Sequence, residues 1–104
     1  MKAETLKGHL EALVLAVLAD EPLHGYAVIE ALRDRSEGAF ELAEGTLYPV
    51  LHRLEDEGLL SSAWTDAVGR RRRVYRLTRR GRSALARRRD EWSSFVRAVD
   101  AVLA

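Results

Sequence analysis

The chain has 104 residues, 47% hydrophobic and 32% charged, the composition of one globular domain that buries about two thirds of its unfolded surface. It holds no cysteine, which excludes a disulfide framework and a thiolate metal site. The net charge of +1 conceals a division: residues 1–66 carry 5 basic and 13 acidic side chains, residues 67–104 carry 12 and 3, and eleven arginines with no acid lie between Gly69 and Arg89.

One concentrated basic segment points to a polyanion site on part of the surface; the alternative is a solvated helix face paired with acids elsewhere. The longest apolar run, residues 12–19, has eight residues, against the roughly 20 that a membrane span needs. Glu4 and Glu11 oppose a secretory signal, so the expected location is the cytoplasm, without a membrane partner.

In chain order, Leu6, Leu10, Leu13, Val14, Val17 and Leu18 recur at helical spacing and predict a first helix over residues 5–18, broken by Asp20-Glu21-Pro22. Tyr26, Ile29 and Leu32 predict a second over residues 25–35, closed at Ser36-Glu37-Gly38 with Gly38 as a left-handed cap. Phe40-Glu41-Leu42 alternates and suits a brief strand. A third helix, residues 44–57, carries the apolar stripe Leu47, Val50, Leu51 and Leu54 and ends at Gly58. Its opposite face holds Pro49, His52 and Asp56, flanked by Thr46, Tyr48 and Arg53.

Residues 59–64 and 73–77 read as an antiparallel hairpin with a long, mobile, basic tip between them. Thr78 is a suitable N-cap for a last helix over residues 79–103, with Gly81 permitting close backbone approach near its start. The expected fold is mainly α with a small β-hairpin, a winged helix-turn-helix over residues 1–78 plus a C-terminal dimerisation helix over residues 79–104.

In the winged-helix order the third helix enters the major groove and the hairpin reaches the flanking backbone or minor groove. Arg70, Arg71, Arg72 and Arg73 fall where a wing meets phosphates, unless they merely solvate a loop. Thr46, Tyr48, His52 and Arg53 are the helical DNA-binding candidates: hydroxyls suit phosphate oxygens, and a guanidinium suits a guanine edge or a phosphate. Tyr48 could instead be half-buried packing, and His52 a bystander. On the last helix Leu85, Trp92, Val96, Val99 and Leu103 lie at near-heptad spacings and form an expected homodimer interface.

Three stretches, Leu23-His24-Gly25-Tyr26, residues 44–60, and Gly69-Arg70 through Gly81, closely resemble the PadR family of transcriptional regulators, over roughly residues 6–100. The resemblance implies a homodimeric repressor of the short subfamily, whose first helix, with Leu6 and Leu10, joins the last helix in the dimer interface, and which binds two-fold related operator DNA through Thr46, Tyr48, Arg53 and the glycine-arginine wing. One departure is Ala43, where family members place Ser or Asn; the missing cap costs about 1 kcal/mol, which Glu44 offsets through the helix dipole. In some multidrug-sensing members that this chain resembles, a tryptophan on the last helix stacks planar aromatic ligands across the dimer. Trp92-Ser93 matches them, which makes Trp92 a candidate contact for a small aromatic effector; the plainer role is interface packing.

His9, His24 and His52 are expected on separate helices, without an HExxH pair or a phosphate-binding glycine loop, so no catalytic residue, metal or cofactor is assigned. The expected class is a regulator, not an enzyme. The alternative is a winged-helix protein-interaction module that never touches DNA, kept open by the acidic balance of residues 1–66.

Overall fold

A computed structural model describes residue 6 and residues 8–67 and 69–104. The elements run α1 (Leu10–Asp20), β1 (Leu23–His24), α2 (Gly25–Arg35), α3 (Glu44–Asp56), β2 (Leu60–Ala67), β3 (Arg70–Leu77) and α4 (Arg79–Leu103).

α1 is the central helix, burying Leu10, Val14, Leu15, Val17 and Leu18. It starts later than the periodicity predicts, and Thr5 lies outside the described residues. The reason is Gly8, whose φ of 88° is left-handed and interrupts the helical path ahead of Leu10. Val28, Ile29 and Leu32 of α2 and Leu47, Val50, Leu51 and Leu54 of α3 close around α1.

The expected strand at residues 40–42 is absent. The third strand is instead β1, which antiparallel β3 holds between itself and solvent on the edge opposite β2, with Leu23 facing Tyr75 and His24 facing Val74 in the register. Leu23 and His24 are too few to be read as a strand from period-two alternation. Their pairing is supplied by β3, distant in sequence.

The hairpin also differs from expectation. Thr65, Asp66 and Ala67 pair with Arg72, Arg71 and Arg70, so the strands run to within two residues of each other and the long basic tip does not form. Gly69, at φ 72°, supplies the left-handed position that a two-residue connection needs; Val68, the other connecting residue, lies outside the described residues. Asp66 opposite Arg71 is a cross-strand pair of opposite charge, the kind that favours strand over loop. The four arginines therefore stand on a β-ribbon.

The junction of α3 and α4 is tightly built. Leu59 N–H donates to Leu54 O at 2.9 Å and Gly58 N–H to Glu55 O at 3.0 Å, a Schellman closure with Gly58 at φ 78°. Thr78 Oγ1 accepts from Gly81 N–H at 3.0 Å, capping α4, and donates to Gly58 O at 2.7 Å. A Cβ on Gly81 would lie 2.1 Å from Leu59 O, so only glycine lets α4 seat on this turn. Beyond Trp92, whose ring still meets His9, α4 leaves the body; Trp92, Phe95, Val102 and Leu103 are exposed. No helix among the described residues is long and apolar enough to cross a membrane.

Candidate nucleic-acid interface

α3 begins at Glu44 without a side-chain cap; Ala43 contributes only its carbonyl, which accepts from Thr46 N–H at 3.0 Å and Leu47 N–H at 3.1 Å. Glu44, exposed in the first turn, places a negative charge by the free amides. With Leu47, Val50, Leu51 and Leu54 buried, the 100° step per residue turns Gly45, Pro49, His52 and Asp56 outward. Tyr48 and Glu55 face the hairpin side. Thr46 and Arg53 face the α1 side.

On the hairpin side the structure assembles a groove of about 710 Å³ lined by Tyr48, His52, Trp64 and Arg70 to Arg73. Tyr48 is half-buried: a Cβ on Gly25 would lie 2.6 Å from its hydroxyl oxygen, so the ring rests directly on the backbone at the start of α2. Packing thus accounts for its ring, and the hydroxyl borders the groove. His52 is exposed.

Trp64, an exposed residue that periodicity alone did not single out for function, organises the arginines. The guanidinium carbons of Arg71 and Arg73 lie 5.1 and 5.4 Å from its ring centroid, within cation–π range. Arg73 also reaches Glu55 at 3.5 Å, and Glu55 accepts from the Ser62 hydroxyl. One acid at the end of α3 is therefore engaged with the hairpin. Burial raises the pKa of the Tyr75 phenol from its ordinary 10.0, against the opposing pull of Arg73. The signal that could have found Trp64 is its register: it lies opposite Arg73 on the ribbon.

His24 is not on a helix, as expected from sequence, but in β1 ahead of α2, where its Nδ1 accepts from Ala27 N–H at 3.3 Å. Arg72 Nη1 stands 2.9 Å from its Nε2. A neutral imidazole accepts at only one nitrogen, so capping α2 and accepting from Arg72 compete.

Thr46 and Arg53 do not join this groove. Thr46 is exposed on the other flank, and Arg53 Nε donates to Glu11 Oε1 at 2.7 Å. Tertiary pairing with an acid 42 residues away, invisible to local spacing, turns this guanidinium away from the arginines of the hairpin.

The expected dimer residues divide likewise. Leu6, Leu10 and Leu85 are buried within the chain itself, at 5%, 9% and 4% exposure. Trp92 and Leu103 are exposed, while Val96 and Val99 are half-buried. The Trp92 ring meets His9 edge-on at 5.2 Å and Phe95 at 5.9 Å, beside a groove of about 570 Å³ between α1 and α4. Among the described residues no group of three or more His, Asp or Glu side chains is placed to hold a metal ion.

Known proteins give this architecture a context. The transcriptional regulator PadR-like family matches residues 14–87. A transcriptional regulator of Mycobacterium tuberculosis is 42% identical over 86 residues, covering 83% of this chain and 78% of the relative. A PadR family transcriptional regulator from Eggerthella lenta superposes with a TM-score of 0.85 at 35% identity, covering 96% of this chain and 86% of that one. A PadR-like transcription factor from Bacteroides fragilis gives 0.80 at 32%, covering 96% and 95%. These relatives are regulators rather than enzymes, and the matched segment contains α2, α3 and the whole hairpin: the chain belongs to the PadR-like family of transcriptional regulators.

Proposed function

We propose that the chain is a homodimeric, sequence-specific DNA-binding repressor, in which residues 1–78 engage operator DNA and residues 79–104 pair with a second copy. The observation that carries this reading is the groove in which Arg70 to Arg73, two of them (Arg71 and Arg73) held over Trp64, stand beside Tyr48 and His52 of α3. A ribbon of arginines beside an exposed helix suits a duplex, the arginines meeting phosphates and the helix meeting base edges. The exposed stripe Trp92, Phe95 and Leu103 on α4 supports isologous pairing, which sets half-sites about one helical turn apart.

Mobility shifts on a library of two-fold related duplexes, over a salt series, test this. Replacing Arg70 to Arg73 by alanine should weaken binding to all sequences and flatten the slope of log K against log salt by about 0.9 for each phosphate that is no longer neutralised. An unchanged slope removes the hairpin from the interface. A small aromatic effector is the second part of the reading, favoured by the groove beside Trp92, His9 and Phe95. In a Trp64→Phe chain, Trp92 is the only tryptophan left, and its fluorescence should respond to planar aromatic cations or phenolic acids. A flat response to both panels rejects the effector.

A further inference from the structure

Glu11 stands in the first turn of α1 with both carboxylate oxygens occupied. Oε1 accepts from Arg53 Nε at 2.7 Å and Oε2 from Arg88 Nη2 at 2.8 Å. The two arginines come from α3 and α4, so one carboxylate joins the central helix, the helix that borders the groove and the helix that leaves the body. Among the described residues neither guanidinium has another acidic partner. The Glu11 side chain is only 19% exposed, which limits screening, whereas that of Arg53 is 54% exposed and restrained by this carboxylate rather than by burial.

Two consequences follow from the charges. Arg53 lies next to His52 on α3, on the flank facing α1, and a free guanidinium there has a five-donor fork suited to phosphate. Glu11 engages the Nε donor of that fork and draws the guanidinium toward α1, away from the groove side of α3. Arg88 also lines the groove beside Trp92, so the same carboxylate adds a second tie between α4 and α3, about two turns beyond the junction at Thr78 and Gly81. A surface ion pair between two mobile side chains contributes little to stability. Here a single half-buried acid orients two helices, and its effect is on geometry.

We propose that Glu11 is a positioning residue for DNA recognition: it withholds Arg53 from phosphates and ties α3 to α4, thereby setting specificity rather than affinity. The inference rests on the DNA-binding reading above, and wild-type binding to duplex serves as the control for that reading alone.

The test compares wild type, Glu11→Gln, Glu11→Asp and the double variant Glu11→Gln/Arg53→Gln on a selected two-fold duplex and on random duplex. Glu11→Gln should bind random duplex several-fold more tightly, with a salt slope steeper by about 0.9, the signature of one more phosphate neutralised. Its preference for the selected duplex should fall. Glu11→Asp should restore part of that preference, and Glu11→Gln/Arg53→Gln should cancel the gain on random duplex. A parallel weakening on both duplexes, as from a merely structural role, overturns the proposal; so does a gain that persists without Arg53.

A readout without DNA addresses the joint itself. Because the chain has no cysteine, Asp56→Cys and Arg97→Cys place spin labels on α3 and α4 alone. With labelled chain diluted in unlabelled chain, the distance distribution should broaden in Glu11→Gln. An unchanged distribution overturns the joint even if the duplex reading holds, and wild type that binds no duplex overturns the duplex reading while the label distances still judge the joint.

Discussion

The two halves of α4 are one continuous helix under opposite regimes. Its first turns bury Gly81, Ala84 and Leu85 against the turn that closes α3, whereas further along it exposes Trp92, Phe95, Val102 and Leu103 to solvent. Both halves carry residues that normally make a core, but the first is buried within the chain, whereas the second has only edge contacts such as that of Trp92 with His9. An apolar helical stripe thus states that a surface wants covering without saying by what.

The contrast can be broken most severely at Gly81. Gly81→Ala places a Cβ against Leu59 O and should cost more than about 3 kcal/mol in urea denaturation, since backbone rather than a flexible side chain must give way. Next is Leu85→Ala, expected to cost about 3 kcal/mol by the same measurement, as truncating a buried leucine leaves a cavity. Thr78→Ala removes the cap of α4 and the bond to Gly58 O and should cost about 1 to 2 kcal/mol. At the far half, Val102→Ser should shift the unfolding of dilute single chains by less than about 0.5 kcal/mol, yet reduce self-association in sedimentation. If Val102→Ser destabilises the dilute chain as much as Leu85→Ala does, the contrast is false.

The smallest effect is confined to alkaline pH. The Tyr75 phenol has a pKa raised above 10.0 by burial, so the folded state holds its proton more tightly than the unfolded chain. That contribution is fully present below pH 10.0 and is lost as pH rises through the higher folded value. Thermal unfolding of the wild type should therefore lose stability on that rise, and Tyr75→Phe should lose less.

The same contrast governs which parts of the candidate site were legible. Leu47, Val50, Leu51 and Leu54 repeat at helical spacing, so the exposed face of α3 with His52 could be read directly. Trp64 could not be assigned a role, because its arginines, Arg71 and Arg73, come to it through cross-strand register. The pairing of Arg53 with Glu11, and the burial of Leu6, Leu10 and Leu85 in the chain's own core, were not legible for the related reason that each depends on residues distant in sequence. Tyr48 stands between: its place on α3 was legible, its packing on Gly25 was not.

By itself the sequence determined the order of helices and hairpin, the concentration of positive charge after Gly69, the glycine stop of α3, the threonine cap of α4 and the motifs of the PadR-like family. These are properties of near neighbours along the chain, fixed by periodicity, capping and backbone freedom. Tertiary structure alone decided that the arginines stand on a paired ribbon, that Leu23 and His24 form its third strand, and that Glu11 holds Arg53 and Arg88. Each of those depends on residues far apart in sequence, whose meeting is chosen by the packing of the whole core.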